Sequence, residues 1–526
     1  MISRIRKKIR HRRYKDQEIN PDEIFLDASN LPDFNTQQFE GVLERPISRR
    51  ALTLLGLGFL AITLIYLWRI GDLQLAQGKV FLVRSENNRL KHIPVFAARG
   101  VVYDRNGEIL AWNEPGEEEK FPSRVYADIS GVGHVLGYVK SPQTDSNGFY
   151  YEEEFKGIDG VELSYNNLLN GENGIKIIET DALSNIISEN VLSPPRDGKD
   201  LTLTVDAKVS KKLYDSIEEL SSERGFEGGA GVIIDVRNGG ILALSSFPEY
   251  SPQILTDGDN SSVIARYSSD SRKPFLNKIV SGLYTPGSIF KPFVAMGALA
   301  EGVITPTDKI LSTGSISIQN PYFPDLKTVF VDWKAHGWVN LTEAIAVSSN
   351  VYFYEIGGGF EGQKGLGIKN IEKYARLFGL SEVTGIDIFG EVEGVIPNPK
   401  WKAENFEGDQ WRVGDTYNTA IGQYGVQVTP LQMVRGIAAI ANNGILVTPH
   451  VLFGIKTKKT KIKLSKDYFT EVQKGMRLAV TYGTGKGLNV ASVNIAAKTG
   501  TAQIGTAKTK VNSWVVGFCP GRYFKI

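Results

Sequence analysis

A chain of 526 residues exceeds one ordinary domain and predicts two or three domains. Apolar residues make up 42% and charged residues 22%, enough for a buried core, and a net charge of +2 excludes a general attraction to nucleic acid. The single cysteine, Cys519, excludes an intramolecular disulfide. Five widely spaced histidines argue against a zinc or iron site, so we expect no metal and no cofactor.

One apolar segment breaks the globular pattern near the N-terminus. Residues 51–68 form an uncharged stretch of 18 residues, about the minimum that crosses a hydrocarbon core. A signal peptide rarely begins about 50 residues into a chain, and no small-residue cleavage site follows this stretch. Tyr66 and Trp68 lie at one end, where interfacial aromatic residues are expected. The sequence therefore predicts a single transmembrane helix over residues 51–68, rather than a buried core helix.

The flanks of this segment predict its orientation. Residues 1–50 carry 11 lysines and arginines, whereas residues 69–91 carry five. Because the richer side stays in the cytoplasm, we expect a single-pass protein of the cytoplasmic (inner) membrane, with a cytoplasmic tail over 1–50 and the remainder outside. The basic opening run 4–15 is expected to touch anionic lipid heads, although nucleic-acid binding and a solvated tail are alternatives.

The segment after the span is rich in short strands and turns. Residues 73–90 have helical spacing and predict a stalk that continues the membrane helix. Asp104-Arg105-Asn106-Gly107 lies between two β-rich runs and is typical of a hairpin turn. We therefore predict a β-rich pedestal, or dimerisation, domain over 69–195 that carries no chemistry, with a boundary at Pro194-Pro195.

From residue 196 onward the pattern runs from strands to helices and back to strands. Asn238-Gly239 is typical of a hairpin turn between two of the strands. This order favours an α+β domain over 196–526, with a mainly antiparallel sheet covered by helices. The predicted helices are 207–221, 288–302, 340–356, 366–378, 429–441 and 466–481, and the predicted strands are 201–205, 231–236, 240–246, 495–503 and 513–518.

Three short motifs in this domain carry the candidate chemistry: Ser288-Ile289-Phe290-Lys291, Ser348-Ser349-Asn350 and Lys498-Thr499-Gly500. Each of them alone arises by chance, so their order and context carry the weight. Ser288 opens a helical run, where backbone N–H groups favour developing negative charge, although it could also be a simple N-cap. Lys291 is three residues further on, within reach of the Ser288 hydroxyl, and would act as a base if desolvated.

The third motif predicts a substrate-binding strand. Lys498 and the hydroxyls of Thr499 and Thr501 can hold a carboxylate, and Gly500 permits a close backbone approach. The N–H groups of Thr501 and Ser288 can form an oxyanion hole. Ser348 and Asn350 would complete a proton relay and bind a substrate amide. The alternative for residues 348–350 is an ordinary turn between helices.

Taken together, these motifs resemble class B penicillin-binding proteins. Segments 284–291, 498–503, 429–433 and 385–387 are similar to family signatures, and 99–111 resembles the entry to the family's pedestal domain. Segments 134–139 and 333–338 are similar to the elongation branch, the penicillin-binding protein 2 type, which we favour over the division branch.

The resemblance implies a peptidoglycan D,D-transpeptidase that acts in cell-wall elongation and cell shape. Ser288 would attack the penultimate D-alanine carbonyl of a stem peptide, and an amine of a neighbouring stem would take the acyl group. Lys291 would be the general base, Ser348 and Lys498 would relay protons, and Asn350 would position the peptide. β-Lactams would acylate Ser288. The implied partners are the stem peptides, products of lipid-linked precursors, a SEDS-type glycosyltransferase and other elongation machinery.

Two features depart from the family pattern. Tyr424 stands in Gly422-Gln423-Tyr424-Gly425, where the family has Gly-Gln-Gly, and we expect an altered loop near the site. The family continues past Phe518 with a strand and a closing helix, so we expect a C-terminally truncated domain.

Two other functions compete with transpeptidation. A D,D-carboxypeptidase or β-lactamase on the same scaffold would use water as the acceptor, although the pedestal and the anchor argue against it. A non-catalytic scaffold could instead activate the glycosyltransferase, although the intact motifs argue for chemistry.

Overall fold

The computed structural model describes residues 48–80, 90–115, 121–145, 150–180, 186–320, 323, 325–505 and 510–519. The chain divides into two compact units, Met1–Asn88 and Arg89–Ile526. Most of the predicted cytoplasmic tail, its basic run, part of the predicted stalk and the last seven residues lie outside the described residues.

The first unit contains one long apolar helix, α1 (Arg49–Gly71), followed by a π-helical turn, Asp72–Ala76. The Ser48 side chain accepts a hydrogen bond from the amide of Ala51 at 3.2 Å, which explains why the helix begins before the apolar stretch. The combined segment is long and apolar enough to cross a membrane, and none of its apolar window is buried. The observed helix therefore extends beyond the predicted span 51–68 at both ends.

The second unit begins with small sheets. β1 (Leu90–Val95), β9 (Gly174–Thr180) and β10 (Ile186–Ser193) form an antiparallel sheet in the order β1-β9-β10. A four-stranded sheet has the order β11-β2-β3-β4, and its strands are β2 (Val102–Tyr103), β3 (Ile109–Glu114), β4 (Ser123–Tyr126) and β11 (Leu201–Thr202). The predicted turn at residues 104–107 does join β2 to β3.

β11 pairs in parallel with β2, although it follows the boundary predicted at residue 195. The two predicted domains therefore share a sheet and meet through backbone hydrogen bonds. Shorter elements complete this region: α2 (Gly133–Leu136), β5 (Val139–Lys140), β6 (Gln143–Thr144), β7 (Tyr150–Glu152), β8 (Lys156–Gly157), α3 (Gly160–Ser164) and α4 (Asn166–Leu169).

Three buried charged side chains hold this region together. Arg99 and Arg124 each form a salt bridge with Glu162, at 2.6 and 2.8 Å, and all three side chains are fully buried. Burial by itself would raise the pKa of Glu162, but the two guanidinium groups lower it. Glu162 is therefore an ionised carboxylate that neutralises part of a buried positive charge.

The remainder of the unit is helical with antiparallel strand pairs. Its helices are α5 (Ala207–Arg224), α6 (Pro252–Asp257), α7 (Ser261–Ser269), α8 (Lys291–Ala300), α9 (Leu341–Val347), α10 (Asn350–Gly358), α11 (Ile368–Leu377), α12 (Pro399–Asn405), α13 (Val413–Ala420), α14 (Pro430–Ala441) and α15 (Lys466–Thr481), with 3₁₀ turns at Gly287–Phe290 and Lys486–Leu488. Its strand pairs are β12 (Gly229–Ile234) with β13 (Ile241–Phe247), β14 (Ile310–Ser312) with β17 (Gly337–Val339), β15 (Ser315–Gln319) with β16 (Lys327–Val331), β18 (Ile445–Val447) with β19 (Lys459–Lys461), and β20 (Ala496–Ile504) with β21 (Lys510–Phe518). This mixed α+β architecture confirms the predicted fold class.

The helix α8 runs through the centre of the main hydrophobic core. All its residues except Ala300 are buried, and aromatic rings from several helices surround it, including Phe353, Phe378 and Phe469. The prediction of a single helix over 340–356 was wrong. The chain forms α9 and α10 instead, because Ser348 adopts a left-handed conformation with φ of 61° and Ser349 caps the amide of Tyr352.

Candidate active site

Ser288 lies in the 3₁₀ turn Gly287–Phe290, immediately before α8. Ile289 and Phe290 are fully buried and fix this turn to the core, while Ser288 remains partly exposed. The amide of Gly287 donates a hydrogen bond to the carbonyl of Gly422 at 3.0 Å. The predicted nucleophile therefore stands at the accessible edge of a rigid, buried helix.

The turn that carries Ser288 packs directly on the strand of the third motif. A Cβ atom on Gly287 would lie 2.8 Å from the carbonyl oxygen of Thr501, and Gly287 has a φ of +57°. A Cβ atom on Gly500 would lie 2.9 Å from the carbonyl oxygen of Pro286. Trp514 on β21 also donates its indole N–H to the carbonyl of Thr285 at 3.0 Å. Because only glycine permits this approach, Gly287 and Gly500 bring the first and third motifs together.

The second motif meets the first through Lys291. The Nζ atom of Lys291 donates to the carbonyl oxygen of Ser348 and to Oδ1 of Asn350, both at 2.8 Å, and lies 3.4 Å from Oγ of Ser348. The amide of Ser348 bonds back to the carbonyl of Ala344 as the C-cap of α9, and Asn350 begins α10. The turn between α9 and α10 therefore carries the residues of the candidate proton relay.

The third motif completes the network through Lys498. Its Nζ atom donates to Oγ of Ser348 and to the carbonyl oxygen of Thr499, both at 2.8 Å. The Ser348 hydroxyl consequently lies between the amines of Lys498 and Lys291. The three side chains form a continuous polar chain inside the domain.

Burial changes the protonation of both amines. Lys291 and Lys498 are fully buried. Desolvation lowers the pKa of Lys291 to about 7, and the charge of Asp332 partly opposes this effect. Desolvation and the nearby charge of Lys291 lower the pKa of Lys498 well below its ordinary value. A neutral amine can accept a proton, so the site can perform general-base chemistry near pH 7.

The remaining predicted residues line the strand β20. Gly500 is buried, Thr499 is partly buried and Thr501 is exposed. The Thr499 hydroxyl lies 2.6 Å from the hydroxyl of Thr484. Sequence reasoning missed Thr484, which follows α15 within a Gly-Thr-Gly segment. It also missed Asp332, which follows the apolar alternation of β16 and carries no motif of its own.

The loop that carries Tyr424 keeps its contact with the nucleophile turn. Gly422 accepts the hydrogen bond from Gly287, while Tyr424, with a φ of 56°, packs among the rings of Trp401, Phe406 and Trp411. The tyrosine therefore fills an aromatic cluster beside the site. In the part of the chain that the structure describes, no group of three histidine, cysteine, aspartate or glutamate side chains is placed to hold a metal ion.

Comparisons with known families match two regions of the second unit. The pattern of the penicillin-binding protein transpeptidase domain matches residues 229–523. The pattern of the penicillin-binding protein dimerisation domain matches residues 116–203. The first match covers the three motifs and more than half of the chain.

Individual relatives extend the similarity. The chain is 29% identical to the peptidoglycan D,D-transpeptidase MrdA of Acinetobacter baumannii, covering 83% of this chain and 75% of the relative. It is 27% identical to MrdA of Escherichia coli, covering 87% and 84%.

Solved structures show the same similarity. The complex of penicillin-binding protein PBP2 with MreC from Helicobacter pylori aligns with a TM-score of 0.68 and 26% identity, over 81% of this chain and 92% of that one. PBP2 of Pseudomonas aeruginosa bound to WCK 5153 aligns with a TM-score of 0.65 and 29% identity, over 81% and 89%. A structure of a peptidoglycan synthase complex, which coordinates polymerization and crosslinking, aligns with a TM-score of 0.67 and 26% identity. The alignment covers 87% of this chain and 89% of that one.

Proposed function

Because this chain belongs to the family of penicillin-binding protein transpeptidases, we propose that it cross-links peptidoglycan stem peptides through an acyl-enzyme formed at Ser288. The chain is a serine-type acyltransferase of the peptidoglycan D,D-transpeptidase kind. The observation that carries the assignment of Ser288 is the buried network of Lys291, Ser348 and Lys498 beside its turn. Because this network consists of two amines and a hydroxyl, it is suited to proton transfer rather than to ion pairing.

Acylation begins when Oγ of Ser288 attacks the carbonyl carbon of the penultimate D-alanine. The hydroxyl proton passes to the neutral amine of Lys291 as the Oγ–C bond forms. The C–N bond to the terminal D-alanine then breaks, and the leaving nitrogen takes a proton through Ser348, which bonds to Lys498. In the second half, an amine of a neighbouring stem attacks the ester carbon and gives its proton to the same relay. The new C–N bond forms as the Oγ–C ester bond breaks, and Ser288 recovers its proton from that relay.

The strand β20 and the second motif would hold the substrate. The hydroxyls of Thr499 and Thr501 would bind the terminal carboxylate. The N–H groups of Ser288 and Thr501 would stabilise the oxyanion, each contributing about 3–4 kcal/mol at the transition state. Oδ1 of Asn350 accepts from Lys291, so its NH₂ group is the part that would bind the substrate amide.

The setting in the cell follows from the relatives and the anchor. The protein is membrane-anchored through the helix Arg49–Gly71, and it acts in cell-wall elongation, as the similarity to PBP2 supports. The charge bias around the helix supports a cytoplasmic N-terminus and an extracytoplasmic catalytic domain. We assign a pedestal to 69–195 and the transpeptidase domain to 196–526. The similar structures occur in a complex with MreC and in a peptidoglycan synthase complex that coordinates polymerization and crosslinking, and we propose an MreC-like partner and a SEDS-type glycosyltransferase for this chain.

Covalent labelling with a fluorescent penicillin tests the assignment of Ser288. Membranes that carry the full chain should be labelled, and Ser288→Ala should abolish labelling, because no oxygen remains to form the ester. Ser262→Ala provides the matched control, since Ser262 is exposed on α7 and should leave labelling unchanged. Labelling that persists in Ser288→Ala would overturn the assignment.

Analysis of products made from stem peptides distinguishes the acceptor. Cross-linked dimers support transpeptidation, whereas shortened stems without dimers indicate a carboxypeptidase. A folded protein that is neither labelled nor productive would indicate a non-catalytic scaffold.

A further inference from the structure

Behind the second motif lies a buried aspartate that belongs to none of the three motifs. Asp332 follows β16, and its side chain is 0% exposed. Its Oδ2 atom accepts hydrogen bonds from the hydroxyl of Ser349 at 2.8 Å, from the amide of Val351 at 3.0 Å and from the hydroxyl of Ser312 at 3.3 Å. Two of these donors, Ser349 and Val351, lie within three residues after Ser348 in the chain.

Neighbours of Asp332 brace the same turn from other directions. The carbonyl of Val331 accepts from Nδ2 of Asn350 at 3.4 Å and from the hydroxyl of Tyr354 at 3.2 Å. The indole N–H of Trp333 donates to the carbonyl of Val347 at 3.1 Å. Residues 331–333 therefore contact the chain on both sides of Ser348.

The turn needs this support because its backbone is strained. Ser348 has a φ of 61°, which lies in the left-handed region that is unfavourable for a residue with a side chain. Asp332 also lies at the first turn of α10, where a negative charge interacts favourably with the helix dipole. Its hydrogen bonds thus offset the cost of holding Ser348 between the two lysines.

Asp332 acts on the lysines through its charge as well. Its carboxylate opposes the desolvation that lowers the pKa of Lys291, and the charge of Lys291 in turn lowers the pKa of Lys498. On the other side, Nε2 of His336 lies 3.7 Å from Oδ1 of Asp332. Burial lowers the pKa of His336, with Lys334 and Lys291 contributing in the same direction. Tyr354 is a further titratable group beside the carboxylate, and burial and the charge of Asp332 both raise its pKa.

We propose that Asp332 is a positioning residue, which holds Ser348 and Asn350 against Lys291 and places a negative charge behind the lysine amine. The proposal rests on the proposed acyl-enzyme function, but it assigns a role to a residue outside the three motifs. Two separable effects follow from it. The hydrogen bonds set the geometry of the relay, and the charge sets the pH at which Lys291 becomes a base.

Asp332→Asn separates the charge from the hydrogen bonds, because the amide oxygen can still accept from Ser349 and Val351. We expect the rate constant for acylation of the full-length, detergent-solubilised protein by penicillin to fall only about two- to threefold at its high-pH plateau, because the retained hydrogen bonds lose only their charge assistance. The limb of its pH profile should move to lower pH, because loss of the negative charge favours neutral Lys291. A purely structural role would lower the plateau without moving the limb.

Ser349→Ala and Ser312→Ala are the matched controls. Both remove a hydrogen bond to the carboxylate and keep its charge. Ser349→Ala should lower the plateau several-fold with an unchanged limb, since Ser349 donates the shorter bond, and Ser312→Ala should have less effect. If Asp332→Asn does not fold, a wild-type plateau in Ser349→Ala would itself overturn the positioning role.

A readout that needs no acylation separates this proposal from the proposed function. The ¹³Cε signal of Lys291, assigned with Lys291→Arg, should titrate at lower pH in Asp332→Asn than in the wild-type protein. An unchanged titration together with an unchanged acylation limb would overturn the electrostatic role. A shifted titration in a protein that penicillin does not label would retain this role of Asp332 and reject the acyl-enzyme at Ser288.

Discussion

Two buried clusters of charged residues in the same compact unit have opposite electrostatic character. In the pedestal region, Glu162 lies between Arg99 and Arg124, and the carboxylate is held in its ionised form. In the catalytic region, Lys291 and Lys498 share the hydroxyl of Ser348. The described residues place no carboxylate within ion-pair distance of either lysine, and the pKa values of both are lowered.

Depth of burial therefore does not by itself decide whether a side chain is ionised. Glu162 and both lysines are completely buried, so the desolvation cost acts on each of them. Direct partners of opposite charge preserve the ionised form in the pedestal, where the cluster joins chain segments. Neutral partners and a like charge remove it in the active site, where a base is required. Replacing Lys291 should therefore maintain or raise the stability of the protein, whereas replacing Glu162 should lower it.

The largest effect is expected for Lys291→Met. Loss of the base should reduce the rate constant of acylation by penicillin by about 10²–10⁴-fold. The thermal midpoint should stay unchanged or rise, because an uncompensated buried amine is replaced by an apolar side chain of similar length. Stopped-flow or gel-based acylation together with a thermal scan measures both quantities. Lys212→Met, on the exposed Lys212 of α5, is the control and should leave acylation near wild type.

Glu162→Gln should do the reverse. Removing the carboxylate leaves two buried guanidinium groups without their counter-ion, which should cost about 3–5 kcal/mol of unfolding free energy. Glu172→Gln breaks the exposed pair with Arg196 and should cost no more than about 1 kcal/mol. Denaturant titrations compare the two variants. A shift of the acylation pH profile in Glu162→Gln would contradict the independence of the two clusters.

The stability of the protein should also depend on pH through Lys291. The pKa of Lys291 is about 7 in the folded protein and 10.5 for an ordinary lysine, so the unfolded chain binds more protons between these values. The contribution of Lys291 to stability should therefore be lowest below pH 7 and should rise with pH from about 7 to 10.5. Acylation should increase through the lower end of this range, as neutral amine accumulates.

Comparing wild type with Lys291→Met measures this contribution together with the change that the loss of the Lys291 charge causes in the pKa of Lys498. The difference in unfolding free energy between the two proteins should change with pH above about 7. A difference that stays constant from pH 6 to 10 would show that Lys291 keeps its charge in the folded state.

Local patterns predicted many elements correctly. The Asn-Gly turns at Asn106-Gly107 and Asn238-Gly239 do join antiparallel strands, because each glycine accepts the positive φ angle of the turn. The helix α15 has the predicted limits, since Ser465 caps its first turn. The stretch 340–356 was predicted wrongly as one helix, because the left-handed Ser348 is stabilised by distant residues such as Lys291 and leaves no local signal.

From the order of three motifs, the sequence predicts as site residues Ser288, Lys291, Ser348, Asn350 and Lys498. Capping residues, apolar periods and turn residues act over a few positions, so the element types were also accessible. Only the tertiary structure decided that the Ser348 hydroxyl lies between two fully buried lysines, and that Asp332 and Thr484 lie behind the motif residues. Desolvation and charge proximity depend on groups that are distant in the chain, such as Asp332 for Lys291 and Lys291 for Lys498, and these long-range effects lower the pKa values of both lysines.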